Sequence, residues 1–232
     1  MSAIALSGGG IDRLQSALSN THLGSLDLNA MSNADLAALK KVLTPRMTEY
    51  IPHTPTPKQA AFMLLDCEEA FYGGAAGGGK SDALLMCALQ YVDVQGYSAI
   101  LFRKSYADLT KPGALMDRAK EWLLPHKNVR WDEKDKKFIF YKEGSKVPVS
   151  TLQFGYLENP NDRFNYQGGE YQFIGFDELT HIAKTSYIYM FSRLRRLKGV
   201  NIPLRVRGAS NPPEDDGGNW VRDRFIIEGP SK

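Results

Sequence analysis

Residues 71–85, FYGGAAGGGKSDALL, place five glycines and two alanines directly before a lysine and a serine. Glycine loses more conformational freedom on folding than any other residue, so a bend this rich in it calls for a physical reason. Gly74-Ala75-Ala76-Gly77-Gly78-Gly79-Lys80-Ser81 fits the pattern G-x-x-x-x-G-K-[ST]. Small residues at these positions let successive backbone N–H groups turn inward around phosphate oxygens, and a helix starting at Lys80 adds the favourable end of its dipole. In that chemistry Lys80 reaches the β- and γ-phosphates of ATP and the Ser81 hydroxyl holds Mg²⁺. The competing explanation is a chance match in a flexible turn. A strand before the bend and a helix after it favour phosphate.

A phosphate loop that hydrolyses needs acids. The stretch FIGFDEL supplies two at the end of an apolar run. Such a run reads as a buried strand whose C-terminal edge faces a ligand crevice. Asp177 would orient the Mg²⁺ indirectly, through one of its direct ligands or a water, and Glu178 would act as general base toward a water at the γ-phosphate. An apolar run ending in Asp-Glu is common by itself and gains meaning from the complete loop upstream. Transfer to a bound metabolite needs no dedicated base for water, so the pair favours an NTPase over a nucleotide kinase.

These residues must be held by an alternating set of elements. SNADLAALKKVL (32–43) reads as a helix, and TPKQAAFMLLD opens another with Thr56 as cap and Pro57 at its first position. EAFYGG is a short strand, and Lys80 to Val94 a helix. SAILFRKS is a second strand, and PGALMDRAKEWLL a helix closed by Pro125. KKFIFYK and VPVSTLQFGY look like a hairpin or meander. YQFIGFDEL is a buried strand, SYIYMFSRLRRL a helix behind it, PLRVRGASNPP a final strand and turn, and 220–226 a short helix. The alternation predicts an α/β fold of the P-loop NTPase, RecA-like kind: a mostly parallel sheet flanked by helices, with an inserted β-hairpin or meander. The expected division is an N-terminal flexible segment and helix over 1–50 and the ATPase domain over 51–232.

Composition sets outer bounds. The 232 residues carry 43% hydrophobic and 24% charged side chains, ordinary for a globular protein with a substantial core. A net charge of +3 demands neither nucleic acid nor membrane, so any basic patch must be local. Two cysteines, Cys67 and Cys87, without C-x-x-C spacing, exclude a disulfide framework and a thiolate zinc site. The four histidines are scattered, no apolar run is long enough to span a membrane, and no secretion signal opens the chain, so a cytoplasmic location is expected.

The motifs TPKQ, YGGAAGGGKS, ILFRKSYADL, FIGFDEL and ASNPP occur here in the order seen in the large terminase subunits of tailed bacteriophages. The chain resembles that family over residues 56 to about 213. The resemblance implies a ring-forming ATPase, a pentamer when assembled, that pumps double-stranded DNA into an empty capsid in the host cytoplasm. Its implied partners are a portal protein and a small terminase subunit. It also implies that Gln59 contacts adenine, and that Ser210 and Asn211 form the motif coupling γ-phosphate state to movement. Arg103 falls in the FRKSYADL stretch typical of the family. Three departures stand out. Glycine and alanine fill the place near the loop's start where some terminases carry a basic residue acting in cis. No room for a ribonuclease-H-like nuclease follows SNPP, so the chain looks like an isolated ATPase domain, expected to be a monomer alone. Residues before 50 match nothing specific.

Without that basic residue, the transition-state charge calls for an arginine from elsewhere. Arg163, in the polar stretch NPNDRFNYQGGE, is the first candidate for a finger donated to a neighbouring subunit. Arg193 and Arg196, expected on one face of a helix with Arg195 nearby, are the alternatives. Each could instead contact DNA phosphates or be a solvated charge. Two other functional readings stay open at this point. One is a helicase-like NTPase, which needs a second RecA-like domain beyond this length. The other is a nucleotide-binding regulatory module without turnover, for which a positioned Glu178 has no use.

Overall fold

Side chains along β2 (Ser98–Arg103) alternate between two separate hydrophobic clusters. Ala99 and Leu101 enter one, and Ile100 and Phe102 the other. A strand buried on both faces requires this alternation, and it means that helices cover the sheet on each side. The computed structural model describes residues 32–213 and 216–227. The expected flexible stretch 1–10 lies outside them.

The sheet contains seven strands among the described residues. With β1 (Glu69–Gly73), β3 (Val129–Asp132), β4 (Lys137–Tyr141), β5 (Pro148–Tyr156), β6 (Phe173–Asp177) and β7 (Arg205–Ser210), the order is β1-β7-β6-β2-β5-β4-β3. The pairs from β1 to β5 in that order are parallel, and β4 and β3 add an antiparallel extension. This is the α/β architecture the alternation of elements predicts. The expected meander is there too, and β3 is a strand in it that the sequence pattern did not single out.

Registers bring the chemistry together. Gly73 lies beside Ser210, Asp177 beside Ala209, and Phe102 beside Phe176. The C-terminal ends of β1, β7, β6 and β2 are therefore level with one another, forming the crevice outside the strand ends where parallel sheets bind ligands.

The chain divides after Arg46. Of the first unit the described residues include α1 (Asn33–Leu43), close to the predicted 32–43. In the second unit, α2 (Pro57–Leu64) begins with the predicted cap. Thr56 Oγ1 accepts from the Gln59 amide while Gln59 Oε1 accepts from the Thr56 amide. α3 (Lys80–Leu89) is apolar all round, with every residue from Ala83 to Leu89 buried. Each of its buried leucines and Met86 contributes about 1.5–3 kcal/mol relative to exposure, which anchors the loop preceding the helix. α4 (Tyr106–Thr110) and α5 (Leu115–Leu123) follow β2, α6 (Lys184–Phe191) follows β6, and α7 (Asn219–Arg222) is followed by a wider turn over Asp223–Ile227.

Two helices end earlier than the sequence suggests. α3 stops at Leu89 rather than Val94, passing into a turn, and two side chains bond its last carbonyls. Thr48 Oγ1 donates to Leu89 O at 3.0 Å and Tyr97 Oη to Ala88 O at 2.9 Å. α6 stops at Phe191, so Arg193, Arg195 and Arg196 are not on a helix and share no helical face. The chain leaves the helix by a turn through Arg193 and bridges at Leu194 to Tyr171, whose N–H donates to Arg193 O while the Arg195 N–H donates to Tyr171 O. A tertiary strand-like pairing overrides the local helical pattern.

Candidate active site

Between β1 and α3 the loop 74–79 turns through two left-handed glycines. Gly77 has φ 78° and Gly79 φ 67°. The left-handed backbone favours glycine at 79, and a Cβ there would lie 2.7 Å from Gln59 Nε2, so the end of that side chain would have to move. Gln59, 3% exposed, spans the gap between helix cap and loop by donating Nε2 to Gly79 O at 2.9 Å.

Lys80 is buried and folds back over the loop. Its Nζ donates to Gly74 O at 3.0 Å, Ala75 O at 2.8 Å and Asn211 Oδ1 at 2.8 Å. All three ammonium donors are thus engaged, and an arriving phosphate must replace at least one of them. Ala75, Ala76 and Gly78 complete the loop's rim; a Cβ at Gly78 would stand 3.3 Å from Ala75 O.

The second strand end carries the acids. Asp177 closes β6 and is 1% exposed. Ser81 Oγ donates to its Oδ1 at 2.9 Å and Arg103 Nε to its Oδ2 at 2.7 Å. Burial pushes the Asp177 carboxyl above the usual carboxylate range, and the Arg103 guanidinium and Ser81 hydroxyl act against that push. Glu178 follows in a left-handed conformation, φ 52° and ψ 54°, unusual for a residue with a Cβ. That twist turns its carboxylate away from the strand line, where Ser210 Oγ donates to Oε2 at 3.3 Å and Arg103 Nη2 stands 3.9 Å from Oε1. Ser210 Oγ also lies 2.7 Å from Thr180 Oγ1.

A cleft of about 350 Å³ opens between these groups, with Gly77, Lys80, Ser81, Glu178 and Asn211 in its walls. A larger hollow of about 730 Å³ runs along β1, lined mainly by apolar side chains such as Leu65, Phe71, Val221 and Phe225. Its polar members, Glu69, Thr180, Ser210, Asn211 and Arg222, do not include the loop lysine or Glu178, which the smaller cleft brings together.

Ser81 Oγ and Asp177 Oδ1, 2.9 Å apart, are hard oxygen donors of the kind suited to Mg²⁺. Among the described residues no group of three or more His, Cys, Asp or Glu could cage a metal. A cation completed by phosphate oxygens and water fits that pattern.

Arg163 sits on a 3₁₀ segment, Pro160–Tyr166, beyond β5. It donates Nη1 to Pro160 O at 2.6 Å, and its guanidinium lies 4.6 Å from the Phe164 ring and 5.8 Å from that of Tyr189. It is outside its own chain's cleft. Two basic residues that the sequence gave no role do face the site. Arg103 holds Asp177, and Arg118 of α5 lines the cleft. For Arg103 a signal existed: a charged residue closing a buried apolar strand at the crevice edge. For Arg118 there was none, because α5 reaches the loop only through tertiary packing.

Residues 71–220 match the family described as terminase large subunit, T4likevirus-type, N-terminal. The chain belongs to this terminase large subunit family. Among solved structures it is similar to the large terminase of bacteriophage HK97, with TM-score 0.57 and 14% identity over 76% of this chain and 38% of that one. It is also similar to a mutant of the ATPase domain of the Thermus phage P74-26 large terminase, with TM-score 0.51 and 14% identity over 73% of this chain and 70% of that one. The chain therefore spans well under half of the HK97 protein. These likenesses establish the fold of a phage terminase ATPase domain. No curated protein sequence matches the chain.

Proposed function

We propose that the chain is the ATPase motor domain of a DNA-packaging terminase, hydrolysing ATP to drive double-stranded DNA into a procapsid in the host cytoplasm. The observation that carries this reading is the joint attachment of β7. Ser210 bonds Glu178 and Asn211 bonds Lys80, so the base and the phosphate-binding cation share one strand end. Family membership supplies the packaging context.

In this reading the loop N–H groups and Lys80 bind the β- and γ-phosphates, with Lys80 exchanging the Gly74 and Ala75 carbonyls for phosphate oxygens. Ser81 and Asp177 would hold Mg²⁺, which would offset negative charge on the phosphates. Arg103 keeps Asp177 oriented and compensated while buried. Glu178 accepts the proton of the attacking water; the water oxygen bonds to the γ-phosphorus and the bridging oxygen leaves on ADP with the bonding pair. Because Asn211 and Ser210 touch groups on both sides of that event, a change in phosphate state displaces the end of β7, the route by which hydrolysis reaches DNA.

DNA, portal and small subunit would assemble around a homo-oligomeric ring, with Arg163 or the 193–196 stretch offering an arginine to the neighbour. Hydrolysis and DNA packaging measured together, with portal-bearing procapsids and the small subunit, test the whole reading. Wild type should do both, Glu178→Gln should bind ATP without turnover, and Lys80→Ala should lose binding and turnover. Near-normal turnover in both variants would overturn it.

A further inference from the structure

Arg118 reaches the phosphate cleft from α5, an element that carries none of the phosphate-site motifs. Of the residues lining that cleft, Lys80 and Arg118 are the cations. Arg118 Nη1 pairs with Asp82 Oδ1, and Nη2 donates to Gly113 O at 3.2 Å. Asp82 lies in the first turn of α3, one residue past Ser81, so a guanidinium held there stands beside the loop.

The three neighbouring cations differ in how tightly they are committed. Lys80 spends its donors on two carbonyls and Asn211. Arg103 is bound to a buried carboxylate that would be left uncompensated without it. Arg118 is paired with an accessible acid instead: the two side chains retain 32% and 23% exposure. An ion pair in such surroundings contributes about 0–1 kcal/mol, so little opposes its exchange. Asp82 has a second partner in reach, His53 Nε2 at 3.9 Å, that can take over when the guanidinium leaves. A triphosphate offers more negative charge than one carboxylate, and pairs of oxygens that a guanidinium can engage bidentately.

We propose that Arg118 is a switchable phosphate ligand acting within its own subunit. It rests on Asp82 in the empty site and transfers to γ-phosphate oxygens when a nucleoside triphosphate fills the cleft. The γ-phosphate is its target because Glu178 and Asn211 line the same cleft. Arg118 then supplies, from a different element, the second positive charge that glycine and alanine leave out of the loop's start. The inference rests on the nucleotide reading of the site and adds to it a residue and a ligand group.

Calorimetric titration of the chain with Mg-ATPγS and with Mg-ADP tests it. Arg118→Ala should weaken ATPγS binding about 10- to 100-fold, the worth of a charge-assisted contact, and ADP binding by no more than about twofold. Arg118→Lys should recover part of the loss. Asp82→Asn, which releases the guanidinium, should tighten ATPγS while leaving ADP unchanged; this arm decides the matter if the alanine variant unfolds. Equal loss of both nucleotides in Arg118→Ala, or no loss of either, would overturn the inference. If wild type binds and Lys80→Ala does not, that failure belongs to Arg118 alone. If wild type binds neither nucleotide, the reading of the site falls and this inference with it.

Discussion

Lys80 and Asn211, 131 positions apart, are joined by a 2.8 Å hydrogen bond from Nζ to Oδ1. The bond ties the residue that meets the phosphates to the turn after β7, and through Ser210 that turn also reaches Glu178. Removing the Asn211 amide leaves Lys80 on two backbone carbonyls with its charge intact. Asn211→Ala should therefore keep nucleotide affinity within a few-fold, and keep measurable hydrolysis. Packaging per ATP consumed should fall about tenfold or more, the scale of a lost coupling between sites. Parallel assays of phosphate release and DNA uptake check this, and unchanged coupling would assign the link to other contacts.

Gly79 makes a different demand. Alanine there must adopt φ near 67° and bring its Cβ against Gln59 Nε2. We expect Gly79→Ala to cost about 2 kcal/mol, roughly 4–8 °C in Tm for a chain of this size, and to weaken every nucleotide alike. Gln59→Ala relieves that clash, so the double variant should lose less stability than the sum of the two single losses. Thermal unfolding of the four proteins gives the answer. Strict additivity would show that loop and cap do not touch in solution.

Arg103 compensates a buried acid, and its loss should appear in the pH dependence of stability. Asp177 already lies above its ordinary value of 3.8 through burial, and removing the guanidinium drives it further up. A carboxyl with a raised folded-state pKa holds its proton more tightly when folded. Its charge therefore destabilises the fold above that pKa, and the penalty lifts as pH falls through it. Arg103→Ala should cost about 3–5 kcal/mol near neutral pH, the scale for a buried charge left alone. The gap to wild type should be smaller at a mildly acidic pH than at neutral pH. Denaturant unfolding at both pH values measures it; a constant gap would mean that Asp177 remains charged without its partner.

How much of this could be read in advance follows from how local each feature is. The loop, its helix and the Asp-Glu pair are contiguous stretches with backbone requirements of their own, so Gly77, Gly79, Lys80 and Asp177 announced themselves. Arg103 at the end of an apolar strand and Asn211 in ASNPP were visible too, but their partners Asp177 and Lys80 follow from strand registers, Phe102 beside Phe176 and Gly73 beside Ser210, that no local pattern specifies. Arg118 depends on how α5 packs, which is further from the sequence still. α3 ends where Thr48 and Tyr97 bond its last carbonyls, and the arginines at 193–196 leave the helix where Tyr171 pairs with their backbone. In each case the partner is distant in sequence, beyond the reach of a local pattern.

The last prediction concerns assembly. Arg163 stands outside its own cleft, on the segment that follows β5 and packs against α6, with its guanidinium over Phe164 and over Tyr189 of that helix. The stacking fixes the side chain's direction without consuming its charge, a fit for a group presented to a neighbouring molecule. If it acts on the next subunit, activity belongs to pairs of chains, and specific hydrolysis should rise with protein concentration. Arg163→Ala and Glu178→Gln should each be nearly inactive, by about 10³-fold for a missing finger. Mixed together they should recover activity, because an interface with Glu178 from the first and Arg163 from the second is complete. The recovered rate should vary with mixing ratio and peak near equal amounts. Flat specific activity across concentration together with an inactive mixture would remove Arg163 from the role, leaving Arg193 and Arg196 in the stretch after α6 as the next residues to exchange.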